Sequence, residues 1–308
     1  MSQNSRRGEA TLGRYLVVAA TVFWGTTATL ARFVFRNHHV PVLTVVELRL
    51  SIAALVLFPY LLLRRPSTLR VNRRDIGYFL ALGLFGVAAV QGSYYYSISK
   101  LGVGVAILIQ YLAPSLIVLF DFARGRKVNV TTIAAVSCAL AGTALLVGGV
   151  SVDFARASLL DWCISFASAF IFAFYILYSK RGLERYPPET LLFYTFAVAA
   201  LAWACVTPPW KILSAGYAAE VWWIFLALGV FSTLVPFGLF YAGLRRLQAS
   251  EASILATTEP LVAVVAAALF LNERLAPWQM VGAGLVLTSA VLASRQGNPA
   301  SGGIVGPA

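Results

Sequence analysis

Long apolar stretches alternate with short polar segments along the whole chain. Each stretch holds roughly 20 residues, the length at which an α-helix crosses a hydrocarbon core about 30 Å thick. Helices are the expected form, because backbone exposed to lipid must satisfy its own hydrogen bonds. The pattern predicts ten transmembrane helices, at residues 14–35, 41–63, 76–99, 103–123, 129–149, 158–180, 188–208, 220–243, 250–271 and 277–294.

The same pattern occurs twice, with an offset of 146 residues. Five predicted helices fall in each copy, and an odd number places the two copies in opposite orientations in the bilayer. The predicted fold class is therefore an all-α integral membrane protein with two inverted five-helix repeats around a central cavity. Matching positions include Phe79 to Gly83 with Phe225 to Gly229, Gly92 with Gly238, Tyr95 with Tyr241, and Pro114 with Pro260.

The domain organisation follows from this count. We assign residues 1–13 to a cytoplasmic amino-terminal tail and residues 14–149 to the first five-helix repeat. Residues 158–294 form the second repeat, and residues 295–308, rich in Gly, Pro and Ser, form a disordered tail.

Positive charge is distributed unevenly between the two sides of the predicted bundle. Of the 24 Lys and Arg residues, 17 lie on the side of the amino terminus, five lie on the opposite side, and two lie within helices. Such asymmetry over short loops places the basic side, and with it both termini, in the cytoplasm. The bias therefore predicts a multi-pass membrane protein with both termini in the cytoplasm. It explains the net charge of +12 without a nucleic-acid partner.

Composition and motifs exclude several function classes. With 59% apolar residues and short loops, the chain has no room for a soluble catalytic or nucleotide-binding domain. It contains no Walker-type, H-E-x-x-H or GxSxG sequence. Its two histidines, His38 and His39, are adjacent, while Cys138, Cys163 and Cys205 lie in three different helices as small apolar residues. We expect neither enzymatic activity nor a metal or cofactor.

Ionisable residues inside the predicted helices are few, and each is costly in hydrocarbon. Arg32 and Glu47 lie in the outer parts of the first two helices, where they can form either a structural ion pair or part of a coupling or gating device. Glu47 and Arg49 are two residues apart and do not share a helix face. Glu259 lies near the middle of the ninth helix. It is either a proton-coupling group or an interhelical hydrogen-bond partner.

Prolines interrupt four of the apolar stretches. A proline within a helix frees a backbone carbonyl one turn earlier and favours a kink. Pro114 and Pro260 are related by the repeat, and they are either packing kinks or parts of a gate. The other two are Pro59 and Pro236.

The fifth and tenth predicted helices carry small residues instead of ionisable ones, among them Gly142 and Gly282. Such faces allow close helix packing. They predict scaffold or dimer contacts, so the chain is a monomer or a homodimer.

Aromatic and amide side chains lie at mid-depth in several helices. An apolar cavity with a few hydroxyl and amide groups suits a small, partly apolar solute. The candidate cavity residues are the aromatic Trp24, Tyr95, Tyr111, Phe172, Tyr175 and Tyr241, and the polar Gln91, Gln110, Thr257 and Thr258. The alternative interpretation is that these aromatic rings fill the bundle or anchor it at the lipid interface.

Several short motifs, in order along the chain, resemble the EamA-type branch of the drug/metabolite transporter superfamily. They are Phe23-Trp24-Gly25, Leu48-Arg49, Tyr111-x-x-Pro114, Glu259-Pro260 and Leu271-Asn272-Glu273-Arg274-Leu275. The resemblance implies ten helices around a central cavity, with the fifth and tenth peripheral. Within that branch, the chain is most similar to bacterial aromatic amino-acid exporters of the YddG type, which implies binding roles for Trp24, Tyr111 and Phe172.

The expected function, on this resemblance, is a secondary transporter that exports amino acids, aromatic and other neutral ones, and related small metabolites across a bacterial inner membrane by alternating access. Glu259, Pro114 and Pro260 are expected to contribute to gating or coupling. A nucleotide-sugar or organic-phosphate antiporter of the same fold is the alternative, although phosphate requires cationic side chains in the cavity. A non-transporting intramembrane enzyme or sensor is the alternative from another class.

Overall fold

The computed structural model describes residues 3–38, 40–148, 157–271 and 275–295, and the side chains of residues 3, 4, 6, 28–38, 270 and 271 lie outside this description. Ten long helices run through these residues, as predicted. The first begins earlier than predicted, so the segment expected as a tail is mostly helical. The helices are α1 Gln3–His38, α2 Val42–Arg64, α3 Arg73–Leu101, α4 Val103–Ala123, α5 Val130–Val147, α6 Leu159–Leu183, α7 Pro188–Val206, α8 Ala219–Arg246, α9 Ala249–Leu269 and α10 Pro277–Ser294.

Helices α2 to α10 are each long and apolar enough to cross a membrane. Large apolar side chains on their outer surface, such as Leu63 and Leu159, are about four-fifths exposed, as expected for a surface that faces lipid. Helix α1 contains the first predicted apolar stretch. The predicted disordered tail, apart from Arg295, lies outside the described residues.

The two repeats make equivalent contacts. A Cβ atom added to Gly229 in α8 would lie 2.5 Å from Cγ2 of Ile52 in α2. The same addition at Gly83 in α3 would lie 2.5 Å from Cβ of Val198 in α7. Gly83 corresponds to Gly229, and Ile52 corresponds to Val198, each across the repeat offset of 146 residues. The glycines therefore allow α2 and α7 to approach the neighbouring helix of the other repeat.

Helix interruptions also occur at repeat-related positions. Helix α4 is broken between Gln110 and Ala113, and α9 is broken between Ala256 and Glu259. Each break directly precedes the proline predicted to kink the helix. Wider π-helical turns replace the α-helix at Leu82–Ala88 in α3 and at Val230–Leu234 in α8.

Helices α5 and α10 pack against each other through their small residues. A Cβ atom at Gly142 would lie 2.8 Å from the carbonyl oxygen of Gly282, and the reverse holds for Gly282. The predicted close packing is thus a contact within one chain. Near the other end of this pair, Gln279 Nε2 donates to the carbonyl of Leu146 at 3.1 Å.

Polar contacts between the repeats close the end of the bundle that carries most of the arginines, here called the basic end. Arg14 Nε of α1 lies 2.7 Å from Glu251 Oε1 of α9, and the Glu251 side chain is 6% exposed. Tyr78 of α3 donates its hydroxyl proton to the carbonyl of Tyr178 in α6 at 2.7 Å. Two further contacts at this end join Arg246 to Glu9 (2.7 Å) and Thr190 Oγ1 to the carbonyl of Thr68 (2.7 Å). Within the second repeat, Lys180 Nζ donates to the carbonyl of Leu244 at 2.9 Å.

The loop between α6 and α7 contributes to the same closure. Tyr186 donates its hydroxyl proton to Asp75 Oδ2 at 2.6 Å, and Arg185 lies 3.7 Å from the other oxygen of that carboxylate. Burial and the bond to Asp75 raise the pKa of Tyr186. The phenol therefore stays neutral, and this contact persists, across the physiological pH range.

Candidate substrate cavity

A cavity of about 510 Å³ lies between the two repeats, a size typical of small-molecule sites. It runs from the two helix breaks at mid-depth to the end opposite the basic end. Val42, Val103 and Leu275, at or near the starts of α2, α4 and α10, mark its mouth. Among the described residues, its wall includes predicted site residues from both repeats: Trp24, Gln91, Tyr95, Gln110, Tyr111, Phe172, Tyr175, Glu259 and Pro260.

Aromatic rings form one wall of this cavity. Trp24 of α1 meets Phe237 of α8 edge to face, with ring centroids 5.0 Å apart. Phe172 and Tyr175, one turn apart on α6, lie nearly parallel with centroids 6.0 Å apart. Tyr175 also contacts Phe237 edge to face at 6.3 Å. These contacts hold the rings in place, so the wall offers a preformed apolar surface to a ligand.

The two helix breaks meet at the inner end of the cavity. Tyr111, in the break of α4, donates its hydroxyl proton to Glu259 Oε2 at 2.8 Å. The same hydroxyl lies 3.3 Å from the carbonyl of Ala256, the carbonyl whose helical partner is removed by Pro260. Glu259 opens the second segment of α9, where the helix dipole favours a negative charge.

Arg49 of α2 places a guanidinium group in the cavity wall. Its Nε donates to Thr233 Oγ1 at 2.8 Å, and Nη1 donates to the hydroxyl oxygen of Tyr95 at 2.7 Å. Its Nη2 donates to the carbonyl of Ser232 at 3.2 Å. That carbonyl is available because the residue four positions later is Pro236, which has no N–H.

Four of the predicted site residues lie behind the cavity wall. Tyr241 is fully buried, stacked on Tyr175 with centroids 5.9 Å apart. Thr257 and Thr258 are buried at the break of α9, where each hydroxyl bonds a carbonyl three residues earlier in its own helix. Pro114 is buried at the start of the second segment of α4.

The predicted pairing of Arg32 with Glu47 concerns a side chain outside the described part of the chain. Glu47 itself is 2% exposed, and its Oε1 accepts a hydrogen bond from Ser51 at 2.7 Å. It does not belong to the described cavity wall.

Sequence reasoning left Arg49, Ser232, Phe237 and Gln279 out of the candidate site, although all four line the cavity. Arg49 carried a usable signal, since an intramembrane charge marks a functional position by default. Pro236 was a second signal, because the carbonyl it frees had to find a donor. Nothing in the local sequence distinguishes Gln279 from a surface glutamine.

Ten helices in two inverted repeats, with a cavity at their interface, define a membrane transporter fold. The chain belongs to the EamA-like transporter family, which matches residues 11–148 and 161–295. It is therefore a transporter and not an enzyme.

Individual proteins resemble the chain over nearly its whole length. It is 26% identical over 296 residues to YicL of Salmonella typhimurium, described as an uncharacterized inner membrane transporter, covering 93% of this chain and 96% of that protein. It is 27% identical over 281 residues to the threonine/homoserine exporter RhtA of Escherichia coli, covering 90% and 88% of the two chains. A solved crystal structure shares the fold, with a TM-score of 0.76 and 24% identity over 95% of this chain and 97% of that one.

Proposed function

We propose that this transporter exports neutral amino acids, aromatic ones included, across a bacterial inner membrane by alternating access. The observation that carries the proposal is the aromatic-walled cavity between the repeats, open toward one end of the bundle and sealed at the basic end. The positive-inside rule assigns the basic end, and both termini, to the cytoplasm. The structure is then the outward-open state of the cycle.

Inversion of the repeats supports alternating access. Tyr95 and Tyr241 are equivalent positions, but the inversion places them at opposite depths. Tyr95 lies in the open half and lines the cavity, whereas Tyr241 lies in the sealed half and is fully buried. If the halves exchange conformations, Tyr241 and its surroundings become the wall of a cavity open to the cytoplasm. The equivalent contacts at Gly83 and Gly229 give the two halves matching packing across the interface between the repeats.

The composition of the wall supports an amphipathic solute. Trp24, Phe172 and Phe237 offer ring surface, while Gln91 and Gln110 offer amides. Gln91 Nε2 is buried and has no hydrogen-bond partner among the described residues, so it is a candidate donor to a polar group of the solute. A threonine/homoserine exporter among the relatives is consistent with amino-acid cargo.

The wall does not favour a phosphate-bearing cargo. Among its described residues, Arg49 is the cationic side chain, and Glu259 in the same wall contributes the opposite charge. A nucleotide sugar or an organic phosphate carries about two negative charges at neutral pH. It would leave part of that charge unpaired in a low-dielectric site.

Transport by the purified chain in proteoliposomes tests the proposal. Vesicles loaded with labelled L-phenylalanine or L-threonine should release the label faster than protein-free vesicles. Trp24→Ala should slow phenylalanine release, while Trp223→Ala, which removes a ring that is 70% exposed to lipid, should leave it unchanged. Folded protein that moves none of the neutral amino acids would refute the substrate assignment.

A further inference from the structure

We propose that Arg49 and Glu259 form a polar subsite for the two charged groups of an amino acid, with the α-carboxylate on Arg49 and the α-ammonium group on Glu259. The inference rests on the proposed function and narrows its substrate class to zwitterions in which both groups are free. The observation that motivates it is geometric: two opposite charges line one cavity, and they form no ion pair with each other.

Arg49 is held in place by neutral acceptors. The guanidinium group has five N–H bonds, and its contacts with Thr233, Tyr95 and Ser232 use three of them. One N–H remains on each terminal nitrogen, so the two together can bridge the oxygens of a carboxylate. None of the three acceptors is negatively charged. The side chain is therefore positioned, but its charge is not compensated by the groups that hold it.

The hydroxyl of Tyr95 adds a third donor at the same place. Its oxygen accepts the bond from Arg49 Nη1, so its own proton remains available to donate. Tyr95 lines the cavity beside Arg49. A carboxylate at this point would meet a guanidinium edge and a phenolic O–H.

Glu259 uses only one of its two carboxylate oxygens in a hydrogen bond with the described residues. Tyr111 donates to Oε2, while Oε1 makes no hydrogen bond with the described residues and is not among the buried polar atoms without a partner. Because Glu259 is partly exposed in the cavity wall, Oε1 faces space that a ligand can reach. An ammonium group, with three N–H donors, is a suitable partner for that oxygen.

The two charged side chains line the same cavity without contact. Among the ion pairs of the described residues, none joins Arg49 to Glu259. An anion alone would leave Glu259 unpaired, and a cation alone would leave Arg49 unpaired, each at a cost in a low-dielectric site. A zwitterion satisfies both. Its side chain then extends toward the rings of Trp24 and Phe237.

Binding of three matched compounds tests the subsite in the full-length chain. L-phenylalanine carries both charges, L-phenylalaninamide lacks the carboxylate, and 3-phenylpropionate lacks the ammonium group. Quenching of tryptophan fluorescence or a thermal shift in detergent gives the affinity of each. We expect the wild-type chain to bind phenylalanine about tenfold or more tightly than either analogue, the size of one lost charge-assisted hydrogen bond.

Two substitutions assign the groups. Arg49→Gln should weaken binding of phenylalanine by about tenfold or more but should not weaken binding of the amide, because no guanidinium charge is then left unpaired. Glu259→Gln should weaken binding of phenylalanine but not of 3-phenylpropionate, because no carboxylate is then left unpaired. Arg49→Lys keeps the charge without the planar fork and should restore part of the affinity. The matched controls are Arg124→Gln and Glu220→Gln, both exposed and outside the cavity wall.

The outcomes separate the subsite from the proposed function. Equal affinity of the wild-type chain for all three compounds overturns the subsite, whether or not the variants fold. So does an Arg49→Gln variant that binds phenylalanine as tightly as the wild type. If labelled phenylalanine still moves through proteoliposomes in either case, the proposed function stands alone. Selective binding without transport supports the subsite and rejects export, and absence of both binding and transport overturns both.

Discussion

The hydroxyl oxygen of Tyr111 lies 2.8 Å from Oε2 of Glu259, and this bond joins the broken helix of one repeat to the broken helix of the other. Tyr111 occupies the break of α4, and Glu259 follows the break of α9. Since each break exposes backbone groups at mid-depth, a contact between them ties the least regular parts of the two repeats together at the inner end of the cavity.

Removing this hydroxyl should impair transport more than folding. Tyr111→Phe deletes a hydrogen bond to a carboxylate, a loss of about 1.5–3 kcal/mol. We expect efflux from proteoliposomes to fall at least several-fold, with thermal stability lowered by a smaller amount. Tyr60→Phe, at a position 49% exposed on α2, is the matched control and should behave as wild type. Unchanged efflux by a folded Tyr111→Phe variant would show that the bond is dispensable.

The glycine contacts between the repeats should be sensitive to one methyl group. Gly83→Ala and Gly229→Ala each place a Cβ atom 2.5 Å from a branched side chain, which requires the helices to separate. We expect each substitution to destabilise the chain by about 1–3 kcal/mol, measured by thermal unfolding in detergent. Gly77→Ala meets open space and should be neutral or slightly stabilising. Equal melting temperatures for all three variants would argue against close packing at these positions.

Weakening the basic end should favour its opening. Arg14→Gln leaves Glu251, whose side chain is 6% exposed, without its ionic partner in the sealed state. A loss on the order of 1–2 kcal/mol would raise the open population roughly 5- to 30-fold. The reporter is a cysteine at Ser179, a buried position beside Tyr241, in a background without the three native cysteines. A maleimide should label this cysteine faster in the Arg14→Gln variant than in the same background with Arg14.

The control for that experiment is Arg65→Gln, which removes an exposed pair with Glu189 at the same end. Exposed pairs contribute about 0–1 kcal/mol, so labelling at position 179 should change little. If Arg14→Gln and Arg65→Gln change the labelling rate equally, burial of the Arg14–Glu251 ion pair is not what keeps the basic end closed.

Restoring a backbone N–H at position 236 should disturb Arg49. Pro236→Ala supplies the carbonyl of Ser232 with a helical donor, which competes with Arg49 Nη2. We expect phenylalanine binding to weaken several-fold while the thermal stability of the chain stays the same or rises. Pro59→Ala, on an exposed face of α2, should leave binding unchanged. Wild-type affinity in Pro236→Ala would indicate that the Ser232 contact does not position Arg49.

Much of the architecture could be read from local sequence, because span length and loop charge are local properties. The glycines and prolines also marked the close contacts and breaks in the structure. The exact cavity wall could not be read in this way. Arg49 and Glu47 are two residues apart, yet one lines the cavity while the other is buried away from it, since helix rotation decides which face is exposed.

The sequence by itself determined ten membrane helices, their division into two repeats and the opposite orientation of those repeats, because hydrophobic length and an odd helix count leave little choice. Only the tertiary structure decided which residue of each repeat-related pair lines the cavity in the state that the structure shows. Tyr95 binds Arg49 in the open half, while Tyr241 packs on Tyr175 in the sealed half. The physical reason is that inversion places equal positions at opposite depths, and a bundle open at one end exposes only one of them.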